Sequence, residues 1–248
     1  VILAAVLANG TTRLHNAAKE PEVVDLCLFL NEMGARIHGM GTHHITISGV
    51  KQLKSVSYTV MSDRIVAGTY FAAAAATGGN ILAYPVKEKD LRCVLDVLAV
   101  MGCGIIIRKD RIGLIAPPLL LPVESIYTQP FPGFPTDMQS QIMVCLTAAR
   151  GTSMICENIF EDRFKIVPQL EKMGAKILVH ENRAVIRGGC RLKGASVRAE
   201  DLRGGAALVI AGLMAEGDTK VEGSGYIERG YENIAKDLDQ LGARIRRL

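Results

Sequence analysis

Apolar and polar residues follow one pattern that occurs four times along the chain. Each occurrence has the apolar end of a helix, then a glycine, then a short apolar run that indicates a strand. Such self-similarity at a near-constant spacing is the signature of a protein built from repeated units. The four segments are LNEMGARIHG, LAVMGCGIII, LEKMGAKILV and LDQLGARIRR, and their glycines are Gly34, Gly102, Gly174 and Gly242.

A second helix end precedes each of these glycines by about 24 residues, again at a glycine. The helices before these second glycines are rich in alanine and apolar nearly all round. That composition predicts helices buried on most sides. The glycines are Gly10, Gly78, Gly151 and Gly217, and the helices are LAAVLANG, RIVAGTYFAAAAATGG, QSQIMVCLTAARGT and RGGAALVIAGLMAEGD.

Between the two glycines of each repeat, the pattern predicts a short strand and then an amphipathic helix. Two further strands close the repeat, and one pair is predicted to form a hairpin that turns near Glu181 and Asn182. Each repeat therefore reads as strand, buried helix, strand, outer helix and two strands. The first lacks its opening strand and half its helix, and the last lacks its closing strand. We interpret the chain as a fragment of a larger, partly circular repeat protein. One amphipathic helix is EPEVVDLCLFLNEMG, with Val23, Val24, Leu26, Cys27, Leu30 and Met33 at helical spacing.

Composition narrows the functional class. Of 248 residues, 49% are hydrophobic and 22% are charged, which indicates a folded protein rather than a disordered one. The net charge of +4 is too small for charge-driven nucleic-acid binding. No apolar run reaches the ~18 residues of a transmembrane helix, so no membrane partner is expected. Six cysteines without a CxxC pair indicate free thiols in a reducing, cytoplasmic compartment.

Four arginines stand beside acidic residues, several of them at predicted helix starts. A cation is mildly unfavourable at a helix N-terminus, where unpaired backbone N–H groups attract anions. Guanidinium groups can hold a carboxylate or phosphate bidentately. Each arginine could instead simply pair with its acidic neighbour, but the related repeat positions favour an anion site. The arginines are Arg64, Arg163, Arg203 and Arg229, and the neighbours include Asp63, Asp162, Asp201 and Glu228.

The loop PFPGFPTDMQSQ is the other conspicuous segment. Its prolines predict a rigid, extended approach to a helix. Thr136 and Gln139 fit the capping-box spacing, which places Asp137 in the first helical turn. A carboxylate there is ordinarily a partner of the helix dipole. A rigid loop is also suited to aiming a general base, so both interpretations stay open at this point.

Other motifs are weak. His43 and His44 lie beside Gly41, but no third ligand is spaced to join them, so no metal site is expected. The sequence contains no GxGxxG or GxxxxGK[ST] loop and suggests no Ser/His/Asp set. No organic cofactor is expected either.

Several strings together resemble the enolpyruvyl transferases. The resemblance runs over the whole sequence and is most specific in GFPTD and RAEDLRGGAAL. It implies a mixed α/β fold, an inside-out α/β barrel or prism, with two domains of three βαβαββ repeats each. Residues 1–61 would be the last repeat of the UDP-sugar-side domain, and residues 62–248 the three repeats of the other. The strings are AAKEPEVVDLCLFLNEMGA, MSDRIVAGTYFAAAAATGG, PFPGFPTDMQSQ, ENIFEDRF, RAEDLRGGAALVIAGL and IERGYENI.

The resemblance also implies roles for individual residues. Asp137 would contact the 3-hydroxyl of UDP-N-acetylglucosamine and act as its base, and the backbone of Ile159 would contact the same substrate. Arg163 and Arg203 would lie near the carboxylate of phosphoenolpyruvate, and Arg229 near its phosphate. The less certain positions lining the cleft between the domains are Glu20, Asp63, Arg64 and Asp201.

The implied reaction transfers the enolpyruvyl group to the sugar 3-hydroxyl by addition and elimination, with release of phosphate. This is the first committed step of bacterial peptidoglycan synthesis, and it needs no metal or organic cofactor. The family's reactive cysteine and phosphoenolpyruvate lysine have no counterpart here, so the missing N-terminal half of the same enzyme is the expected partner. The fragment alone is expected to be inactive.

Three other interpretations are compatible with parts of the sequence. The shikimate-pathway enolpyruvyl transferases share the fold and the arginines, but the GFPTD loop favours the UDP-sugar branch. The chain could also be a non-catalytic α/β repeat module that binds a partner or nucleic acid. The small net charge argues against nucleic acid as the ligand of such a module. A split enzyme, completed by a separately made N-terminal half, is equally compatible with the sequence.

Overall fold

The computed structural model describes residues 1–247. The chain divides into two compact units, Val1–Ser62 with Pro130–Pro132, and Asp63–Gln129 with the segment from Gly133 onward. Leu248, the last residue of the domain predicted over 62–248, lies outside the described residues.

The first unit packs two helices on a three-stranded antiparallel sheet in the order β1-β3-β2. Asn31, near the end of the longer helix, bonds both the N–H and the carbonyl of Ile37 at 2.9 Å, which fixes that helix end against β2. Cys27 and Leu30 are buried, as the amphipathic pattern predicted. The elements are α1 (Ile2–Ala5), β1 (Thr11–His15), α2 (Pro21–Glu32), β2 (Arg36–His38) and β3 (His44–Ser48).

The second unit contains three successive repeats of helices and strands. The first repeat comprises α3 (Arg64–Thr77), β4 (Asn80–Ala83), α4 (Glu88–Val100), β5 (Gly104–Arg108) and β6 (Arg111–Ile115). The second comprises β7 (Ser125–Tyr127), a 3₁₀ turn (Thr136–Met138), α5 (Gln139–Ala148), β8 (Thr152–Cys156), α6 (Val167–Lys172), β9 (Lys176–His180) and β10 (Arg183–Arg187). The third comprises β11 (Ser196–Arg198), α7 (Leu202–Met214), β12 (Lys220–Glu222), α8 (Ser224–Ile227) and α9 (Ile234–Gln240).

Helices α3, α5 and α7 pack against one another in the centre of this unit. All of α5 from Gln139 to Thr147 is buried, which confirms the prediction of helices buried on most sides. Small residues allow the close packing, since a Cβ at Gly68 of α3 would come within 2.9 Å of Met138 Sδ. Each repeat contributes its own sheet, and the strand orders are β4-β6-β5, β7-β8-β10-β9 and β11-β12.

The four repeat glycines end their helices in the same way. They have φ values between 94° and 98°, the left-handed conformation that glycine adopts without steric cost. After each glycine, the next N–H donates to a carbonyl five residues earlier, as in a Schellman motif. The predicted repeat is therefore confirmed at the level of hydrogen bonds. The four donor–acceptor pairs are Ala35 to Leu30, Cys103 to Leu98, Ala175 to Leu170 and Ala243 to Leu238.

Two parts of the repeat pattern were predicted wrongly. No strand opens the first repeat of the second unit, because residues 52–63 carry no regular structure. The apolar run after Gly242 forms no strand within residues 243–247 either. A strand forms only where a neighbour supplies its hydrogen bonds, and a favourable residue pattern does not provide that neighbour. The predicted hairpin at residues 181–182 is confirmed, since β9 and β10 pair antiparallel across it.

Candidate active site

The side chain of Asp137 is held between two arginines in the second unit. Arg163 Nη2 donates to Asp137 Oδ1 at 2.6 Å, and Arg203 Nε and Nη2 both donate to Oδ2 at 3.1 Å. The carboxylate remains 38% exposed, whereas the arginine side chains are 22% and 13% exposed. The structure thus brings together three of the predicted site residues, with the acid as the most accessible member.

Asp137 is positioned by the chain that leads into α5. Phe134 bridges to Thr128, and its carbonyl accepts a hydrogen bond from the N–H of Gln129 at 3.0 Å, so the loop closes on itself. Residues 130–133 therefore form a turn, and the extended approach that the prolines predicted is limited to Phe134 and Pro135. Asp137 lies in the 3₁₀ turn, and the next residue, Met138, is fully buried.

The capping box predicted at Thr136 and Gln139 does not form. Thr136 makes no side-chain cap bond, and its hydroxyl instead donates to Glu157 Oε2 at 2.9 Å. The reason is position, since Thr136 lies inside the 3₁₀ turn, and the residue at the N-cap is Pro135, whose side chain has no polar atom to accept a cap bond.

Arg203 is the second residue of α7. Asp201 caps that helix by accepting from the N–H of Gly204 at 2.7 Å. Arg203 Nη1 donates to the Tyr231 hydroxyl at 3.4 Å, and the guanidinium carbon lies 5.8 Å from the Tyr231 ring centre. Burial lowers the pKa of Arg203, but Tyr231 and Asp137 together outweigh burial and leave the pKa above its ordinary value. Arg203 is therefore a fixed, permanent cation.

Arg163 lies in the turn between β8 and α6, four residues before that helix begins. Its guanidinium carbon is 5.6 Å from the centre of the Phe160 ring. Beside this turn is a cavity of about 420 Å³, lined in part by Phe164, Val179 and Asn182. The ring contact and the bond to Asp137 together hold Arg163 in place.

A chain of buried polar groups lies beneath Arg203. The Tyr231 hydroxyl is 2.7 Å from Thr69 Oγ1, which also accepts from Gln141 Nε2 at 3.1 Å. Tyr231, Thr69 and Gln141 are 2% exposed or less. Sequence reasoning missed these residues, because they come from α3, α5 and the segment after α8, which only the tertiary fold brings together.

Glu157 is a second residue that the sequence did not single out. It is 3% exposed and follows β8 directly. Its carboxylate accepts hydrogen bonds from Thr128, Thr136 and the backbone of residues 159 and 160. An acidic residue at the end of an apolar strand is the only sequence signal that points to it.

The remaining predicted residues lie outside the cluster. Within residues 1–247, no hydrogen bond or ion pair joins Arg229 to Asp137 or to the other two arginines; Arg229 is exposed and follows α8. Asp63 caps α3 by accepting from the N–H groups of residues 65 and 66. Arg64, the first residue of α3, is 8% exposed.

Ile159 and Glu20 have distinct surroundings. The N–H of Ile159 donates to Glu157 Oε1 at 2.9 Å. Glu20 belongs to the first unit, where it precedes α2, and its Oε2 atom is buried without a hydrogen-bond partner.

The histidine pair was also located. His44 packs edge-to-face on His15, and His43 Nε2 is 3.3 Å from Lys19 Nζ. Within residues 1–247, no three His, Cys, Asp or Glu side chains are grouped as metal ligands. No helix in the same range is long and apolar enough to cross a membrane.

The fold and the cluster define the class of the protein. It is a repeat-built α/β protein in which arginines near the inner helices flank an accessible carboxylate, an arrangement suited to binding an anion. The sequence profile described as EPSP synthase (3-phosphoshikimate 1-carboxyvinyltransferase) matches residues 1–238. The chain belongs to this family of carboxyvinyl transferases.

Similar relatives carry a more specific name. UDP-N-acetylglucosamine 1-carboxyvinyltransferase 2 of Caldanaerobacter subterraneus subsp. tengcongensis is 50% identical over 248 residues, which are 100% of this chain and 60% of the relative. UDP-N-acetylglucosamine 1-carboxyvinyltransferase 1 of Legionella pneumophila (strain Lens) is 50% identical over 246 residues, 99% of this chain and 48% of the relative. The chain thus spans 60% or less of the length of each of these two relatives.

Solved structures agree on the fold. The enolpyruvyl transferase NikO from Streptomyces tendae superposes with a TM-score of 0.89 at 27% identity, covering 98% of this chain and 58% of NikO. EPSP synthase from Acinetobacter baumannii superposes with a TM-score of 0.75 at 18% identity, covering 100% of this chain and 60% of that enzyme. The predicted inside-out α/β fold is confirmed by these likenesses.

Proposed function

We propose that this chain is the larger part of an enzyme that transfers the enolpyruvyl group of phosphoenolpyruvate to the 3-hydroxyl of UDP-N-acetylglucosamine. The proposal rests on the contact of Asp137 with Arg163 and Arg203. The relatives named for this activity, which are about 50% identical over the full chain, support the choice of substrate.

The two arginines are proposed to bind the carboxylate of phosphoenolpyruvate. In the unliganded arrangement, Asp137 supplies a carboxylate to the same guanidinium groups. A substrate carboxylate would compete for those donors, since bidentate pairing with arginine suits any carboxylate. Asp137 would then be released from both guanidinium groups and be free to contact the second substrate.

The proposed reaction begins with addition. The 3-hydroxyl oxygen bonds to C2 of phosphoenolpyruvate, Asp137 takes the hydroxyl proton, and a proton is added at C3. The tetrahedral adduct then loses phosphate from C2 and a proton from C3, which restores the C=C bond. The fixed cations Arg163 and Arg203 would stabilise negative charge throughout. Arg229 is proposed to face the phosphate, and the backbone of Ile159 to face the UDP-sugar. Glu20, Asp63, Arg64 and Asp201 are proposed as further positions that contact substrate.

The biological setting follows from the substrates. Transfer to UDP-N-acetylglucosamine would commit it to peptidoglycan, and through the cell wall the enzyme would serve cell shape and division. Six unpaired cysteines support a reducing compartment, and we propose the cytoplasm.

A second candidate function is the shikimate-pathway reaction, because the matching family profile is named for it. The relatives at about 50% identity favour the UDP-sugar instead. A non-catalytic repeat module would not require two arginines in contact with an accessible carboxylate, so this contact argues against that interpretation.

The test measures phosphate release from phosphoenolpyruvate with either acceptor, UDP-N-acetylglucosamine or shikimate 3-phosphate. A polypeptide limited to residues 1–248 should stay at background with both. The same chain joined to the N-terminal portion of the Caldanaerobacter relative should turn over only with UDP-N-acetylglucosamine. Turnover with shikimate 3-phosphate alone would reverse the substrate choice. Background rates with both acceptors in the joined protein would overturn the enzymatic proposal.

A further inference from the structure

We propose that Glu157 is a positioning residue that holds Asp137 and Arg163 in the geometry described above. It touches neither proposed substrate group and acts through the two loops that carry those residues. The catalytic consequence rests on the proposed function, whereas the structural consequence does not.

The carboxylate of Glu157 accepts four hydrogen bonds. Oε1 accepts from Thr128 Oγ1 at 2.8 Å, from the N–H of Ile159 at 2.9 Å and from the N–H of Phe160 at 3.1 Å. Oε2 accepts from Thr136 Oγ1 at 2.9 Å. Burying a charge is unfavourable unless hydrogen bonds satisfy it, and these four donors do so for a side chain that is 3% exposed.

The four donors come from different parts of the site. Thr136 immediately precedes Asp137 in the 3₁₀ turn. Ile159 and Phe160 lie just before the turn that contains Arg163, and the Phe160 ring contacts the Arg163 guanidinium. Glu157 therefore ties the segment bearing the proposed base to the segment bearing one of its two cations.

The remaining contacts reinforce this connection. Thr128 Oγ1 accepts from the N–H of Asn158 at 2.8 Å and donates to Glu157. Thr128 therefore bonds both residues that follow β8 and lead to Arg163. The N–H of Glu157 itself donates to the carbonyl of Asn182 at 2.8 Å, which fixes the carboxylate relative to the β9–β10 hairpin. Charge-assisted bonds of this kind are stronger than neutral ones.

The test removes one bond without removing the charge. Replacing Glu157 itself would remove the acceptor of four hydrogen bonds at once and can prevent folding. The variant is therefore Thr136→Val, which keeps the shape of the side chain and deletes only the hydroxyl. Thr136→Ser restores the hydroxyl. Thr77→Val makes the same chemical change at an exposed helix residue, whose hydroxyl bonds the carbonyl of Ala73.

The first readout is amide hydrogen exchange in the chain of residues 1–248. Thr136→Val should raise exchange about tenfold in peptides covering 134–139 and 157–163, because both segments lose their shared anchor. Thr136→Ser and Thr77→Val should leave these peptides as in the unmodified chain. Unchanged exchange in both segments of Thr136→Val would overturn the role of Glu157.

The second readout is turnover by the joined, full-length protein. Thr136→Val should lower kcat by about 10- to 100-fold, since small misplacements of reacting groups have effects of that size. The KM for UDP-N-acetylglucosamine should change less than kcat, and Thr136→Ser should recover the rate. A rate loss that serine does not recover would count against the hydroxyl contact. If the unmodified protein shows no turnover, the proposed function fails, and the exchange measurement alone decides the role of Glu157.

Discussion

At the scale of single residues, Asp137 combines two properties that seldom coincide. It is paired with two cations, yet it is the most solvent-accessible member of the group. A purely structural ion pair gains little at that exposure, because water and salt screen it. The exposed carboxylate between two guanidinium groups is instead what the proposed function requires, an anion site that a carboxylate of the protein occupies in the absence of substrate.

Asp137→Asn separates catalysis from helix stabilisation. The amide keeps the size of the side chain but cannot accept a proton, so kcat of the full-length enzyme should fall roughly 10²- to 10⁴-fold. Phosphoenolpyruvate affinity should not fall, because both arginines remain and the neutral amide competes less for their donors. A helix-dipole role alone would instead lower the free energy of unfolding by about 0.3–1 kcal/mol with the rate nearly intact. Measuring kcat and thermal midpoint together decides between them, and a rate within threefold of the unmodified enzyme would exclude the base.

Tyr231→Phe tests the buried support of Arg203. The change deletes the hydroxyl that contacts Arg203 and Thr69, while Thr69 keeps its bond with Gln141. The free energy of unfolding should fall by about 0.5–1.5 kcal/mol, and the KM for phosphoenolpyruvate should rise. Tyr226→Phe, on the exposed side of α8, is the matched control. Urea denaturation gives the first quantity, and equal effects of the two substitutions would contradict the role assigned to Tyr231.

The residue scale also shows what sequence can anticipate. The sequence predicted Asp137 in a first helical turn, because the prolines and Thr136 that precede an apolar run are a local signal of a helix start. Its contacts with Arg163 and Arg203 span 26 and 66 residues, and no local pattern encodes such a meeting. Glu157 was missed for the same reason, since its importance comes from donors in separate loops.

At the scale of elements, helix ends were predicted better than strands. A glycine with positive φ ends a helix through its own backbone, so Gly34 and its three equivalents could be recognised from sequence. Residues 52–63 and 243–247 form no strand, because strand formation depends on a partner elsewhere. Thr136 does not cap the helix because the helical turn begins one residue earlier than the capping-box spacing predicted, with Pro135 at the N-cap.

Alkaline pH should weaken the packing around the start of β5. Cys103 is 6% exposed, and burial raises the pKa of its thiol from 9.0 to about 11. Because the pKa is higher in the folded state, the stabilisation is complete below about pH 9 and is lost as the pH rises towards 11. This thiol should account for roughly 2–3 kcal/mol of that loss.

Urea denaturation between pH 8.5 and 11 measures this effect. The free energy of unfolding of Cys103→Ala should decline less steeply with pH than that of the unmodified chain. At pH 8.5 the Cys103→Ala variant should be the less stable of the two. Cys190→Ala, at a partly exposed thiol, is the control and should keep the original slope. Parallel pH profiles for the chain and Cys103→Ala would show that burial of this thiol is not linked to stability.

At the scale of the whole molecule, the two units differ in how much apolar surface they bury. The core of the first unit consists of a few residues around α2 and its sheet, whereas the second unit has one continuous core around three helices. The first unit also carries an apolar cavity of about 270 Å³, lined by residues that include Leu3, Leu14 and Leu26. Repeats of this kind gain stability from their neighbours, so a single repeat is expected to be marginal.

Hydrogen exchange of the chain of residues 1–248 should therefore separate the units. Amides of α2 should exchange faster than those of α5 and α7, because opening the first unit exposes far less buried apolar surface. Adding the N-terminal portion of the Caldanaerobacter relative in covalent form should slow exchange in α2, because new packing would cover the exposed apolar face of the first unit. Exchange in α5 should change less, because that helix is already buried from Gln139 to Thr147. The measurement requires a chain shown to be monomeric by sedimentation, since self-association would also cover that face. Equal protection of α2 and α5 in the proven monomer would mean that one repeat is stable by itself.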